Sequence, residues 1–235
     1  MQTIGLVGGM SSESTAGYYR DLVTGVRERK GGLSSPKLVL STVDFAELTE
    51  LEGEQRWDQI GALLAEAAQG VERAGADFLL LCTTTFHKVA DQVAAAVDIP
   101  LLHLADVAAE ACLAANQTSV GLIGTKVAMI DPFFRDRMAT HGLEVLVFLF
   151  CGFRPRRIEP AERGKGTGPF IVSWEDAGES FLYGLRAAQM PSPYETFFIC
   201  AKTPDRKHRV DKAKRLLGWE AKDTFEELLR KPPGP

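Results

Sequence analysis

Hydrophobic positions along the first 148 residues switch between two spacings. Short continuous apolar runs, bounded by Gly, Pro or polar residues, are followed by stretches in which apolar residues recur every three or four positions. "TIGLVGG" (3–9) reads as a buried strand with its carboxyl-terminal loop, and a helix over 12–28 follows, with Tyr18, Leu22 and Val26 at spacing four. "KLVLSTVDF" (37–45) is a second strand, and the segment 54–74 places Trp57, Ile60, Leu64, Ala68 and Val71 on one helical face. "ADFLLLC" (76–82) and "IPLLHL" (99–104) give a third and a fourth strand, with helices over 86–96 and 104–115. "SVGLIGT" (119–125) and "LEVLVF" (143–148) are the fifth and sixth strands. The helix between them spans 126–141, with Pro132 tolerated near its start. Continuous apolar strands alternating with amphipathic helices predict an α/β fold, a parallel sheet flanked by helices on both faces.

After Phe148 the texture changes. "CGFRPRRIEPAERGKGTGPF" (151–170) is rich in Gly, Pro and Arg and reads as a loop or an edge strand. A helix over 173–188 opens with Ser173 and Asp176 in capping-box spacing. "YETFFIC" (194–200) is a strand, and "RVDKAKRLLGW" (209–219) is a basic helix stopped at Gly218. A last helix is predicted over 223–231, capped by Asp223 with Glu226.

Composition sharpens this picture in three places. A chain of 235 residues, 45% hydrophobic and 25% charged, is long enough for one large or two small cores. It holds no apolar run of about 18 residues, so no membrane span is expected, and its amino terminus lacks the basic region and cleavage site of a signal peptide. Cys82, Cys112, Cys151 and Cys200 are widely spaced, with no CxxC pair and no histidine at zinc-ligand spacing. They read as reduced thiols of a cytoplasmic protein without a metal site. The net charge of −4 gives no reason to expect a nucleic acid. It is unevenly spread, however: residues 1–148 carry 11 Lys+Arg against 19 Asp+Glu, and residues 149–235 carry 16 against 12. That shift suggests two segments of different origin.

Ligands of parallel α/β sheets sit outside the carboxyl ends of the strands. Three stretches fall there: "GGMSSES" (8–14), "DF" (44–45) and "CTTTFH" (82–87). Gly8 and Gly9 offer either a tight strand-to-helix turn or backbone N–H groups for an anion. "GLVGGM" lacks the spacing of a dinucleotide fingerprint. Cys82 has two readings. It is a small buried hydrophobe, or it is a thiol whose pKa is depressed by the helix amino terminus it faces, giving a thiolate near neutral pH. On the second reading, Thr83, Thr84 and Thr85 supply hydroxyls for a carboxylate beside it. Cys112 falls on the apolar face of a helix and His87 at a helix surface or cap.

"TIGLVGGMSSESTAGYYRDLVTGVRERKGGLSSPKLVLSTVDFAEL", "GADFLLLCTTTFHKVADQVAAAVDIPLLHLADVAAEA" and "VGLIGTKVAMIDPFFRDRM" together resemble the aspartate/glutamate racemase family. The resemblance runs from residue 1 to about 148. The loop "GGMSxES", the strand end "VDF" and the cysteine loop followed by "HK" carry it. It implies two pseudo-symmetric α/β lobes, an active site between them and no cofactor. It also implies one cysteine from each lobe, on opposite faces of the substrate's α-carbon, because inverting a stereocentre by proton transfer needs a base on one face and an acid on the other. Cys82 is then the first-lobe acid/base. Met10 and Ser11 match the substrate-contacting loop, Thr84 and Thr85 match carboxylate-binding positions beside Thr83, and Asp44 has an orienting role. Thr84 replaces the family's usual asparagine, Ser12 its tryptophan and Ala128 its threonine.

The second-lobe "GCTE"-like loop has no counterpart here; Cys200, ending "FFIC", is the nearest candidate for the second acid/base. The tail over about 152–231 instead resembles the carboxyl-terminal part of nucleotide-sugar epimerase/dehydratase relatives, most clearly in "LGWE". Their Tyr-x-x-x-Lys pair is absent, since neither Tyr183 nor Tyr194 has a lysine four residues on. The expectation is a racemase-like region at 1–148 and an atypical tail at 149–235, so that the first lobe is racemase-type and the second incomplete or atypical. The implied partner is a small acidic amino acid, bound without nucleic acid or membrane, and a homodimer is compatible with this reading. The alternative is an inactive binding module or a non-functional fusion product, in which "LEVLVFLF" would lie uncovered.

Overall fold

The computed structural model describes residues 1–150, 153–157, 171–187, 190–202 and 210–225. They divide into two units, Met1–Ala111 and Cys112–Pro235. The sequence boundary at 148/149 marks where a resemblance ends, and it falls inside the second unit.

In the first unit, β1 (Thr3–Gly8) is the centre of a parallel sheet of order β2-β1-β3, with β2 (Lys37–Thr42) and β3 (Phe78–Leu81) on either side. α1 (Ser12–Lys30) connects β1 to β2, and α3 (Trp57–Arg73) leads into β3. Ile60, Leu64, Ala68 and Val71 of α3 are fully buried, as their spacing predicts, and pack with Val7, Leu79 and Leu81 of the sheet. Between β2 and α3 lies α2 (Phe45–Gly53), which the hydrophobic pattern alone does not mark. Its signal is a cap: Asp44 accepts from Ala46 N at 2.8 Å, and Glu47 follows three residues on.

The fourth predicted strand shrinks to a single parallel bridge, Leu101 to Leu79. Pro100 contributes only its carbonyl, which accepts from Leu79 N at 2.9 Å, and without an N–H it cannot extend the ladder. The helix predicted over 86–96 begins as a 3₁₀ turn, Thr85–Val89, and continues as α4 (Ala90–Ala94). α5 (Leu104–Ala114) is as expected.

The second unit has its own parallel sheet, of order β4-β5-β8, built from β4 (Ser119–Leu122), β5 (Glu144–Leu149) and β8 (Tyr194–Phe198). Six of the described strands thus form two sheets of three. In the first, the third strand in sequence lies beside the first strand; in the second, it lies beside the second strand. Among the described residues the two sheets therefore differ in strand order. The helix expected over 126–141 is broken into α6 (Lys126–Ile130) and α7 (Phe133–Thr140). Pro132 forces Asp131 into an extended conformation, and Asp131 Oδ1 accepts from Phe133 N at 3.3 Å.

The tail belongs to this unit. β6 (Phe153–Arg154) and β7 (Val172–Ser173) form a two-residue parallel ladder, and α8 (Trp174–Arg186) starts from the Ser173 cap. α9 (Asp211–Leu217) ends at Gly218, whose left-handed φ of 73° closes the helix. Trp219 then enters a core of Leu146, Phe148, Phe197, Ala213 and Leu217. Val145, Leu146, Val147 and Phe148 are at most 1% exposed, so the "LEVLVFLF" run is covered. Buried Asp176 in the first turn of α8 accepts from Lys222 N and Asp223 N at 2.9 Å each, and Arg156 joins Asp176 to Asp223. These contacts occupy Asp223, and 223–225 are not helical; the rest of the helix predicted over 223–231, with Glu226, lies outside the described residues. So do Cys151 and the segment 158–170.

Gly9, after β1, has φ +94°, and a Cβ there would stand 2.3 Å from Val43 O and 2.9 Å from Val43 N. Gly9→Ala is expected to cost roughly 3 kcal/mol, from the left-handed backbone and from the displaced β2 end. A lowered urea midpoint at unchanged slope measures it.

Candidate active site

The three stretches flagged by sequence meet at the carboxyl edge of the first sheet because their strands are neighbours. Val43 N donates to Gly8 O at 3.1 Å, Cys82 N donates to Val7 O at 2.9 Å, and Ser14 Oγ donates to Cys82 O at 3.4 Å. Ser11 caps α1 by accepting from Ser14 N, and Thr15 Oγ1 accepts from Gly9 N at 2.9 Å while donating to Ser11 O at 2.8 Å. The 9–15 loop is therefore rigidly pinned beside the cysteine loop. Met10 is buried in the first unit's core, and Asp44 is spent on its cap.

In the cysteine loop, Thr83 N donates to Leu81 O, Phe86 N approaches Thr83 Oγ1 at 3.5 Å, and His87 N donates to Thr84 O at 3.3 Å. Thr83 and Thr85 are buried; Thr84 is half-buried, with its hydroxyl unengaged by any described residue. His87 is not at the surface but 3% exposed. Its Nδ1 lies 2.6 Å from Thr83 O, and its Nε2 lies 3.2 Å from Leu104 N. A carbonyl can only accept and a backbone N–H only donate, so the ring is held as the neutral Nδ1–H tautomer. It ties the cysteine loop to the start of α5, with the His103 ring edge-on at 4.6 Å. Lys88 turns onto the Trp57 ring at 4.1 Å.

Cys82 is 0% exposed, and burial pushes its thiol from 9.0 up to about 12. Of the two sequence readings, burial matches the small buried side chain, and the shift is opposite in sign to that of the depressed thiol. The turn after Cys82 is a short 3₁₀ segment with little dipole to offer, and loss of hydration outweighs it. The Tyr18 phenol on α1 is also held above its usual range, first by burial and then by repulsion from a Cys82 thiolate. Tyr18 is a site residue the sequence pattern presents only as part of a helical face.

The linkage has a definite sign. Unfolded, the Cys82 thiol ionises near 9.0; folded, it keeps its proton to about 12. Between those values the unfolded chain binds fewer protons, so stability falls as pH rises from about 9 towards 12 and is insensitive to this group below that window. The urea midpoint is expected to drop over that range, less steeply in Cys82→Ala. At neutral pH, iodoacetamide is expected to modify half-exposed Cys112 before Cys82, as peptide mass spectrometry would read.

Cys200 lies two residues past β8 in the second unit and is buried; its neighbours Ile199 and Ala201 donate to Leu149 O and Ile171 O through their backbone N–H groups. Among the described residues no cluster of three His, Cys, Asp or Glu side chains is placed to hold a metal ion, and no helix is long and apolar enough to cross a membrane.

The family profile for Asp/Glu/Hydantoin racemases matches residues 7–151. The chain belongs to that family. Among solved structures it is similar to a candidate Asp/Glu racemase from Yersinia pestis, at 34% identity and a TM-score of 0.66 over 85% of this chain and 86% of that one. That share exceeds residues 1–148, so the structural match of this racemase-family chain runs on into its tail. An aspartate racemase homologue from Pyrococcus horikoshii matches at 33% identity and a TM-score of 0.58, covering 63% of this chain and 64% of that one. The aspartate racemase of Picrophilus torridus shares the fold, at 14% identity and a TM-score of 0.50. Family and neighbours together support a racemase-like function.

Proposed function

We propose that this chain moves the α-proton of a small acidic amino acid of the aspartate/glutamate type without a cofactor, with Cys82 as the acid/base on one face of the α-carbon. The observation that carries the reading is the position of Cys82. It leaves the strand beside β1, at the sheet edge where the backbone segments 8–11, 43–44 and 82–85 are neighbours. The half-buried Thr84 hydroxyl is suited to a substrate carboxylate. A buried neutral thiol is the form that returns a proton. To remove one it must ionise, and the substrate's ammonium group beside it favours the thiolate by direct attraction. Tyr18 sits within electrostatic reach of that charge. Chiral chromatography of L- and D-aspartate and L- and D-glutamate incubated with the protein tests the reading. Accumulation of the opposite enantiomer from any of them supports it, and unchanged enantiomeric purity with all four refutes it.

A second reading, a binding module that holds the amino acid without turnover, is favoured by one observation. The Cys82 side chain is fully enclosed and carries a thiol that resists ionisation. Saturable binding of aspartate without proton exchange would establish it.

A further inference from the structure

The inward face of α8 is built mainly from small residues, and large apolar ones point outward. Ala177, Ser180 and Gly184 are buried, and Gly184 lets the helix rest against the second sheet, since a Cβ there would stand 2.6 Å from the Phe148 ring. Trp174, Leu182 and Leu185 are instead 60%, 50% and 60% exposed. With Gly178 they fall within an arc of about 80° at roughly 100° per residue, so they form one stripe along the helix. Phe153 extends it by stacking flat on Trp174, with ring centroids 4.3 Å apart. A surface helix ordinarily turns polar side chains to this side, and a contiguous exposed apolar patch rimmed by charge marks a protein contact. The rim is asymmetric. Glu175 and Glu179 flank the amino-terminal half of the stripe, and Arg186 its carboxyl-terminal end. Glu179 pairs with Lys222, while Glu175 and Arg186 are exposed and form no salt bridge with a described residue.

We propose that α8 is a self-association surface on which a second copy of this chain docks, the two α8 helices running antiparallel about a two-fold axis. A stripe with acids at one end and a base at the other is complementary to itself in that sense only. With the axis midway between Gly178 and Leu182, each Glu175 lies beside the partner's Arg186, Trp174 lies against the partner's Leu185, and each Leu182 enters the notch over the partner's Gly178. That notch is open, because a Cβ at Gly178 would meet nothing within 4 Å. Parallel pairing would instead set Glu175 against Glu175 and Leu182 against Leu182. The carboxylates beside the stripe disfavour an anionic lipid surface as its occupant. α8 has 13 residues and spans about 20 Å. The contact is therefore smaller than the roughly 1,200–2,000 Å² of a standard interface, and the pair is weak, with a dissociation constant of about 10–500 µM. This inference does not rest on the racemase reading, and association is measured without substrate.

The test is a dilution series of the full chain, read by sedimentation velocity and by amide-resolved NMR. Expected are shifts that grow with protein concentration and saturate, confined to 153 and 174–186, with a matching rise in mass. Reading the site from the shifts keeps it separate from association through any other surface. Gly178→Gln fills the notch and is expected to weaken pairing at least about tenfold, while the stability of the single chain holds or rises because a better helix former replaces glycine. Glu175→Arg or Arg186→Glu alone is expected to weaken pairing roughly three- to tenfold, as two like-charge contacts replace two exposed ion pairs. The variant carrying both changes is expected to return to within about twofold of the wild type, a recovery that damage to folding would not give. The proposal is overturned by the absence of concentration-dependent shifts on α8, by shifts at other residues only, by Gly178→Gln pairing as tightly as the wild type, or by a double charge variant that pairs no more tightly than either single one.

Discussion

Replacing Cys82 with alanine is expected to lower inversion of aspartate or glutamate by about 10²–10⁴-fold in both directions, the usual contribution of a positioned acid/base. Inversion needs both faces of the α-carbon, so neither direction survives the loss of one thiol. Hydrogen exchange is more selective: the enantiomer whose α-hydrogen faces Cys82 stops exchanging, and the other continues to exchange through the acid/base of the opposite face. Folding changes little in Cys82→Ala, because one sulfur atom leaves a small cavity and the loop is held by backbone contacts, Cys82 N to Val7 O and Ser14 Oγ to Cys82 O. Chiral chromatography and proton NMR on the variant read both effects. Equal loss of exchange for both enantiomers in Cys82→Ala would mean that Cys82 does not serve a single face.

The second large effect is on stability. Trp219 is 1% exposed and packs with Leu146, Phe148 and Phe197, where α9 returns to the second sheet. Trp219→Ala is expected to destabilise the second unit by about 3–5 kcal/mol, as large-to-small replacement of a buried aromatic does. Trp219→Phe should cost much less. The indole Nε1 is buried with no acceptor among the described residues, so phenylalanine removes an unpaired donor together with part of the packing. Denaturant unfolding followed at residues of α8 and β8 separates the two variants. Similar losses in both would place the stability in the indole N–H.

The parts of the molecule legible in the sequence are those where one local signal decides the outcome. The α3 face, the β1 and β5 runs and the Gly218 stop each follow from spacing or from a single residue's backbone freedom. The "LGWE" run, read as a likeness to another family's carboxyl terminus, has a local physical role: Gly218 closes α9, Trp219 anchors it, and Glu220 pairs with Lys202 and Lys214. What was not legible depends on tertiary placement. Strand order is one example, since nothing in "YETFFIC" says that it pairs with β5 rather than β4. The Cys82 thiol is another. Its neighbours in sequence left a lowered pKa open beside the reading as a buried side chain, and its burial raises it. His87 looked like a surface residue because its two partners, Thr83 O and Leu104 N, are fixed by the loop's return to α5. Asp44 looked like a ligand-orienting group, but the helix it caps was masked by a weak apolar pattern with only Leu48 and Leu51 buried.

The measurement that reaches the central claim most directly is incorporation of solvent deuterium at Cα when L- and D-aspartate and L- and D-glutamate are incubated separately with the folded wild-type chain in D₂O. Proton transfer on two faces predicts exchange of both enantiomers of at least one of these amino acids, accompanied by inversion. No exchange with any of the four, in a sample shown by NMR to be folded and to bind the amino acid, would contradict it and leave the chain a racemase-family binding protein.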